Sequence, residues 1–172
     1  MKTAMPKNVE GEYCANKLLV AGGVLMTETQ SFEYSVECQV SRDFAWQFWT
    51  NVANWAVVDP AVESAKLDGP FVAGAKGVTK PRDSDSVEWR ITEVEDGRRA
   101  CIEIPAPGAV LRCLWRFEDA ANGSTQITQQ MSLDGERADE YAAGIGAQME
   151  KGMPEGMRKL AEAMRRAANE QA

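Results

Sequence analysis

The chain has 172 residues, of which 44% are apolar and 26% charged, and it carries a net charge of −7. That length suits one domain burying roughly 70% of its unfolded surface, and the acidic balance excludes a nucleic-acid partner, which needs a basic footprint. There is no histidine, so acid–base chemistry would fall to carboxylates, Tyr, Lys, Cys or bound water, and the commonest zinc ligand is missing.

Residues 1–30 show no periodicity that continues into the rest of the chain. Leu18 to Met26 is apolar but nine residues long, too short to cross a bilayer. It also lacks the small-residue cleavage site of a secretory signal. Met26 opens Met-Thr-Glu-Thr-Gln-Ser, a stretch with the character of a protein start. Residues 1–25 are therefore expected to be an upstream extension, residues 1–30 to be disordered, and residues 31–168 to form one domain. Cys14, Cys38, Cys101 and Cys113 make no CxxC pair. No metal knuckle, redox motif or other cofactor is implied, and a cytoplasmic protein with reduced thiols is expected.

From Ser31 onward, Phe32, Tyr34, Val36, Cys38 and Val40 alternate with polar residues and predict a strand. Ser41 then offers an N-cap hydroxyl and Asp43 sits in the first helical turn, where the helix dipole favours it. Phe44, Phe48, Trp49 and Val52 make the apolar stripe of that helix. Asn51 or Asn54 is expected to cap a second short helical turn leading to Trp55.

Three hairpins follow. Asp96-Gly97 as a two-residue turn pairs Glu95 with Arg98, Ile91 with Ile102, Trp89 with Ile104, and Arg90 with Glu103 on the opposite face. Arg90–Glu103 reads as an outer-face ion pair of little energetic weight. Glu93 falls on the inner parity and reads as a rim carboxylate or, more simply, an exposed edge charge. A turn near Pro105-Ala-Pro-Gly108 pairs Ile102 with Leu111 and Ala100 with Cys113, leaving Cys101 outward and Cys113 inward. A three-residue loop, Ala121-Asn122-Gly123 with Gly123 left-handed, pairs Phe117 with Ile127, Trp115 with Gln129, Cys113 with Met131 and Leu111 with Leu133. Gln129 is the one polar residue this register turns inward.

The tail from Ala138 to Ala168 is helical by pattern, with Tyr141, Ile145, Met149, Met153, Met157, Leu160 and Met164 recurring every three or four residues. Pro154 is expected to kink or divide it, leaving a looser, glycine-containing first half and a firmer second half. Arg158, Lys159, Arg165 and Arg166 stand beside Glu155, Glu162 and Glu170 as a solvated face.

Val40-Ser41 through Trp46, Trp55 and Asp59-Pro60 resemble the opening signature of the START-like superfamily (SRPBCC), which includes polyketide cyclases and dehydrases, aromatase/cyclases and lipid-transfer domains. Leu67-Asp-Gly-Pro-Phe71, Gly74, Trp89 to Val94, Gly135 and the Met-Pro-Glu-Gly-Met-Arg-Lys-Leu160 segment continue the likeness. Asn51 stands where that signature often has Asp, and Val58 where a second tryptophan often follows. The resemblance implies an α+β helix-grip fold (START/Bet v 1-like). A seven-stranded curved antiparallel sheet wraps a long C-terminal helix, with two short helices after the first strand.

The fold also implies an apolar cavity holding a small hydrophobic ligand, lipid or polyketide-like. Its expected lining is Trp55, Trp89, Ile91, Ile104, Trp115, Gln129, Met131, Tyr141, Ile145 and Met149. Trp89 and Trp115 serve equally as cavity wall and as core, and Trp55 also reads as packing between the helical turn and the sheet rim. Gln129 and Tyr141 are the polar candidates for orienting a ligand, or for polarising a carbonyl in a cyclase/dehydrase-type enzyme. A structural hydrogen-bonding role is the simpler account of both. A third reading, a protein-interaction module of the chaperone-ATPase-activator type, predicts a filled interior and a partner-binding surface.

Overall fold

The computed structural model describes residues 30–171; the expectations for residues 1–29, Cys14 included, fall outside them. β1 (Gln30–Cys38) leads into α1 (Arg42–Thr50), a single 3₁₀ turn (Val52–Asn54) and α2 (Trp55–Val58). β2 (Val62–Leu67), β3 (Lys76–Pro81), β4 (Val87–Glu95), β5 (Arg99–Ala106), β6 (Ala109–Asp119) and β7 (Thr125–Asp134) follow, and α3 (Ala138–Gln171) closes the described chain. The strands form one seven-stranded sheet in the order β1-β7-β6-β5-β4-β3-β2, with every neighbouring pair antiparallel. This is the helix-grip architecture, with α1 and α2 as its two short helices.

Local chemistry accounts for the helix start at residue 41. The Phe44 N–H donates to Ser41 Oγ at 3.3 Å, and Asp43 occupies the first turn. The asparagines do not cap as expected. Neither Asn51 nor Asn54 makes a side-chain cap bond, and Asn54 Nδ2 instead reaches back to donate to Phe48 O at 2.8 Å. The buried side of α1 is also rotated from the expected stripe. Ala45, Trp46 and Trp49 are buried, while Phe44 and Phe48 are only partly covered.

The β6–β7 register is as the sequence predicts, from Leu111↔Leu133 to Phe117↔Ile127, with Gly123 at φ 74° and Asn122 also left-handed at φ 57°. The other two hairpins differ from expectation. Between β4 and β5 the outer pairs Arg90↔Glu103 and Ile91↔Ile102 hold, but the turn pairs Glu95 with Arg99, and a bulge at Thr92 absorbs the extra residue. That bulge turns Glu93 outward, where its carboxylate meets Arg99 at 2.6 Å. Between β5 and β6, Pro107-Gly108 makes a two-residue turn from Ala106↔Ala109. Ile102 therefore faces Cys113, and Ala100 faces Trp115, a shift of two from expectation that keeps the same face inward.

α3 runs unbroken through Pro154. Met153 and Met157, 6% and 1% exposed, pin the turns on either side of it to the core, so packing outweighs the lost backbone bond. Its buried stripe is Ala142, Gly146, Met153, Met157, Leu160 and Met164. The first half is therefore turned by one position from the expected Tyr141 and Ile145. Gly146 is where α3 comes close to β1, since a β-carbon there would lie 3.3 Å from the Phe32 ring. Farther along, Cys38 Sγ donates to Ala161 O at 3.3 Å.

The outer sheet face carries the charges. Glu103 is not a simple surface partner of Arg90. Its side chain is 5% exposed and held by Arg90 Nη2 at 2.6 Å and Arg112 Nη2 at 2.8 Å. The Arg90 hydrogen bond, aided by Arg112, holds the Glu103 carboxyl below its ordinary 4.5. A lowered pKa makes the unfolded state the tighter proton binder, so this stabilisation is present above pH 4.5 and is lost as pH falls. Glu103→Gln is expected to cost about 1–3 kcal/mol at neutral pH, with the half-exposed arginines limiting the loss by rehydrating. Urea denaturation of both proteins from pH 7 down to pH 3 should show the difference shrinking below about pH 4.5. A pH-independent difference would mean that packing, not charge, carries the effect.

Candidate functional site

Registers across the sheet place Phe32, Tyr34, Gln129, Met131, Cys113, Trp115, Ile104 and Leu111 on the concave face, under α3. The two ends of that face differ. Over the second half of β6 and the Trp89 row of β4, α1 and α2 close over the sheet and fill it with rings. Trp49 lies 5.1 Å from Trp115, 5.2 Å from Phe71 and 5.4 Å from Phe117. Trp55 lies 5.1 Å from Trp89. Their polar edges are tied down, with Trp46 Nε1 donating to Asp96 Oδ1, Trp55 Nε1 to Trp49 O and Trp89 Nε1 to Thr79 Oγ1. Toward the start of β1 and the β5–β6 turn the concave side chains are less covered: Phe32, Tyr34, Ile104, Leu111 and Met131 are only partly buried, as is Trp115 at the edge of the ring cluster.

The expected lining residues divide accordingly. Ile104, Trp115, Gln129 and Met131 lie on the less covered part of the concave face, with Met149 partly buried on α3. Trp89 and Ile91, 4% and 0% exposed, are enclosed in the core, and Trp55 is half-buried against Trp89. Ile145 is on the surface, 37% exposed. Tyr141 does not point inward. Its hydroxyl donates to Pro107 O at 3.3 Å and Arg137 stacks on its ring, so it anchors the start of α3 to the β5–β6 turn. Tyr34, absent from the expected polar candidates, faces Gln129 across β1–β7. The alternation of β1 carries that signal, because Tyr34 shares parity with Phe32 and Val36.

Gln129 places an amide on this concave surface. It is 8% exposed, and its side chain has no hydrogen-bond partner among the described residues. Among the described residues, Arg42 Nε is the single fully enclosed side-chain polar atom without a partner. The Gln129 amide therefore still borders accessible space. The thiols nearby are inert. Burial pushes Cys38 up to about 11 and Cys113 up to about 12. Among the described residues no cluster of His, Cys, Asp or Glu could hold a metal ion, and no helix is long and apolar enough to cross a membrane. A separate cleft of about 500 Å³ lies outside the sheet–helix interior, between Phe48, Val57, Val58 and Pro60 on one side and the last turns of α3 on the other.

The fold is shared with solved structures of low sequence identity. Norcoclaurine synthase from Thalictrum flavum, in complex with dopamine and hydroxybenzaldehyde, superposes with a TM-score of 0.66 at 13% identity, covering 92% of this chain and 99% of that one. The Zhui aromatase/cyclase from Streptomyces sp. R1128 gives 0.65 at 16% identity, covering 81% and 96%. A protein from Arthrobacter aurescens gives 0.60 at 17%, covering 78% and 85%. At these identities the likeness establishes the fold alone. No curated protein sequence matches the chain. The profile described as polyketide cyclase / dehydrase and lipid transport does match, over residues 29–168. That span takes in every described strand and all but the last turn of α3, so the chain belongs to the polyketide cyclase/dehydrase and lipid transport family.

Proposed function

We propose that the protein binds a small hydrophobic or aromatic molecule, lipid- or polyketide-like, between the concave sheet face and the first half of α3. One observation carries this reading: six large side chains on the concave face, from Phe32 to Met131, stay partly exposed although they face the protein's own helix. Burying that surface against an apolar ligand is favourable by about 25 cal/mol per Å². A protein-interaction role is less well supported. The exposed large hydrophobics among the described residues, Val57, Val72 and Ile145, lie on α2, the β2–β3 loop and α3 rather than in one patch.

Native mass spectrometry of freshly purified protein, followed by denaturing extraction, tests the reading. A co-purifying apolar molecule is the expected result. A clean apo mass, with no thermal shift against a panel of lipids and aromatics, would instead favour a filled interior and a protein partner. Cyclase-type chemistry is the second reading, favoured by the family description. There the fold would hold a reactive chain in one conformation, with Gln129 polarising a carbonyl.

A further inference from the structure

Resting on that ligand-binding reading, we infer that the interior selects an uncharged ligand bearing a carbonyl or hydroxyl, held by the Gln129 amide and the Tyr34 hydroxyl. The registers put the charges of the central strands on the outer sheet face. Glu33, Arg116, Arg112, Glu103 and Arg90 all point outward and are ion-paired there. The buried stripe of α3 contains no Asp, Glu, Lys or Arg, and on the inner rows of β1, β6 and β7 the one such residue is Asp119, exposed at the far end of β6 and already ion-paired with Arg42 at 2.8 Å. Cys38 and Cys113, which do face inward, are held as neutral thiols. A carboxylate entering this space would lose its hydration with no cation on the inner rows to replace it, which costs far more than burying a neutral polar group.

The polar capacity that does face inward is neutral. Tyr34 and Gln129 are direct partners in the β1–β7 ladder, so their side chains stand side by side on one face. Thr79, another inward hydroxyl, is already engaged by Trp89 Nε1 at 3.0 Å. Neither Gln129 nor Tyr34 has a side-chain hydrogen bond among the described residues. An amide both donates and accepts, and so does a phenol, so the pair suits a ligand oxygen of either kind. A ligand lacking such an oxygen leaves the buried amide unpaired, which penalises it relative to one that has it.

Three probes of similar shape test this: 2-acetylnaphthalene, 2-ethylnaphthalene and 2-naphthoate, titrated by calorimetry at pH 7. The wild-type protein should bind the ketone about tenfold tighter than the hydrocarbon, with the carboxylate weakest of the three. In Gln129→Met the ketone preference should fall most of the way to unity while the hydrocarbon binds at least as tightly as to the wild type, because no buried amide is left unpaired, and that retained binding also shows that the variant is folded. Tyr34→Phe should remove part of the preference. Naphthoate binding as well as the ketone, or a wild-type protein indifferent between ketone and hydrocarbon, overturns the inference without any variant. So does a Gln129→Met protein that keeps the preference. If none of the three probes binds, the ligand-binding reading itself falls, and the inference with it.

Discussion

Truncating Trp49 to alanine is expected to remove about 3–5 kcal/mol of unfolding free energy. The side chain is 2% exposed, and its ring centroid lies 5.1–6.2 Å from those of Trp115, Phe71, Phe117, Trp46 and Trp55. Tilted and edge-on pairs of this kind add about 0.5–1.5 kcal/mol each beyond area burial. The neighbouring rings cannot collapse freely into the hole, because Trp46, Trp55 and Trp89 are each held at the indole N–H. Against a typical total of about 5–15 kcal/mol, the loss brings the fold near its threshold. Guanidinium denaturation should show a lower midpoint at unchanged slope. Gln47→Ala, on the exposed side of the same helix, should stay within about 0.5 kcal/mol of wild type. A Trp49→Ala loss below about 1 kcal/mol would mean that the cluster relaxes to fill the void, and that the rings are not the rigid floor of the site.

Gly77→Ala should be nearly as damaging, for the opposite reason. Gly77 pairs with Trp89 across β3–β4, and the benzo ring of Trp89 lies directly on the glycine. A β-carbon at residue 77 would overlap three of that ring system's atoms. The ring has nowhere easy to go, since Trp55 stacks on it and Thr79 holds its N–H. Overpacking of this kind costs typically 1–3 kcal/mol, and more where the neighbour is fixed. A double-mutant cycle isolates the clash. In a Trp89→Val background, itself destabilised, adding Gly77→Ala should cost little, giving a coupling of about 1–3 kcal/mol. Additive losses would mean that Gly77 matters through strand backbone rather than through contact with Trp89.

The sheet is legible where a short loop and an alternating pattern agree. The β6–β7 register follows from one test, whether the turn puts Phe117 against Ile127 and Leu111 against Leu133, because a one-residue slip would turn the whole set outward. The β4–β5 turn escapes the same test for a physical reason. A bulge at Thr92 cancels a one-residue change at Asp96-Gly97, so both solutions give the same outer pairs. The β5–β6 offset of two escapes because any even shift preserves the inner face. Gln129 is legible as an inward amide. Tyr34 is equally written in the alternation of β1, but as an aromatic among aromatics it carries no contrast with its neighbours.

The inward rows of β1 and of β4 to β7 and the position of the first helix cap follow from the order of residues, because each depends on local chemistry or on a period of two, while the family and the full element order follow from likeness to a known signature. Which of those inward residues are enclosed and which remain accessible is a matter of three-dimensional packing. That outcome depends on where α1 and α2 press their tryptophans and on the one-position turn of α3 that buries Gly146 and leaves Ile145 outside. Both go with the close packing of Gly146 on Phe32 and of Gly77 on Trp89. Neither contact can be read from spacing along the chain, because each is made between a ring and a glycine that are distant in sequence or lie on separate strands.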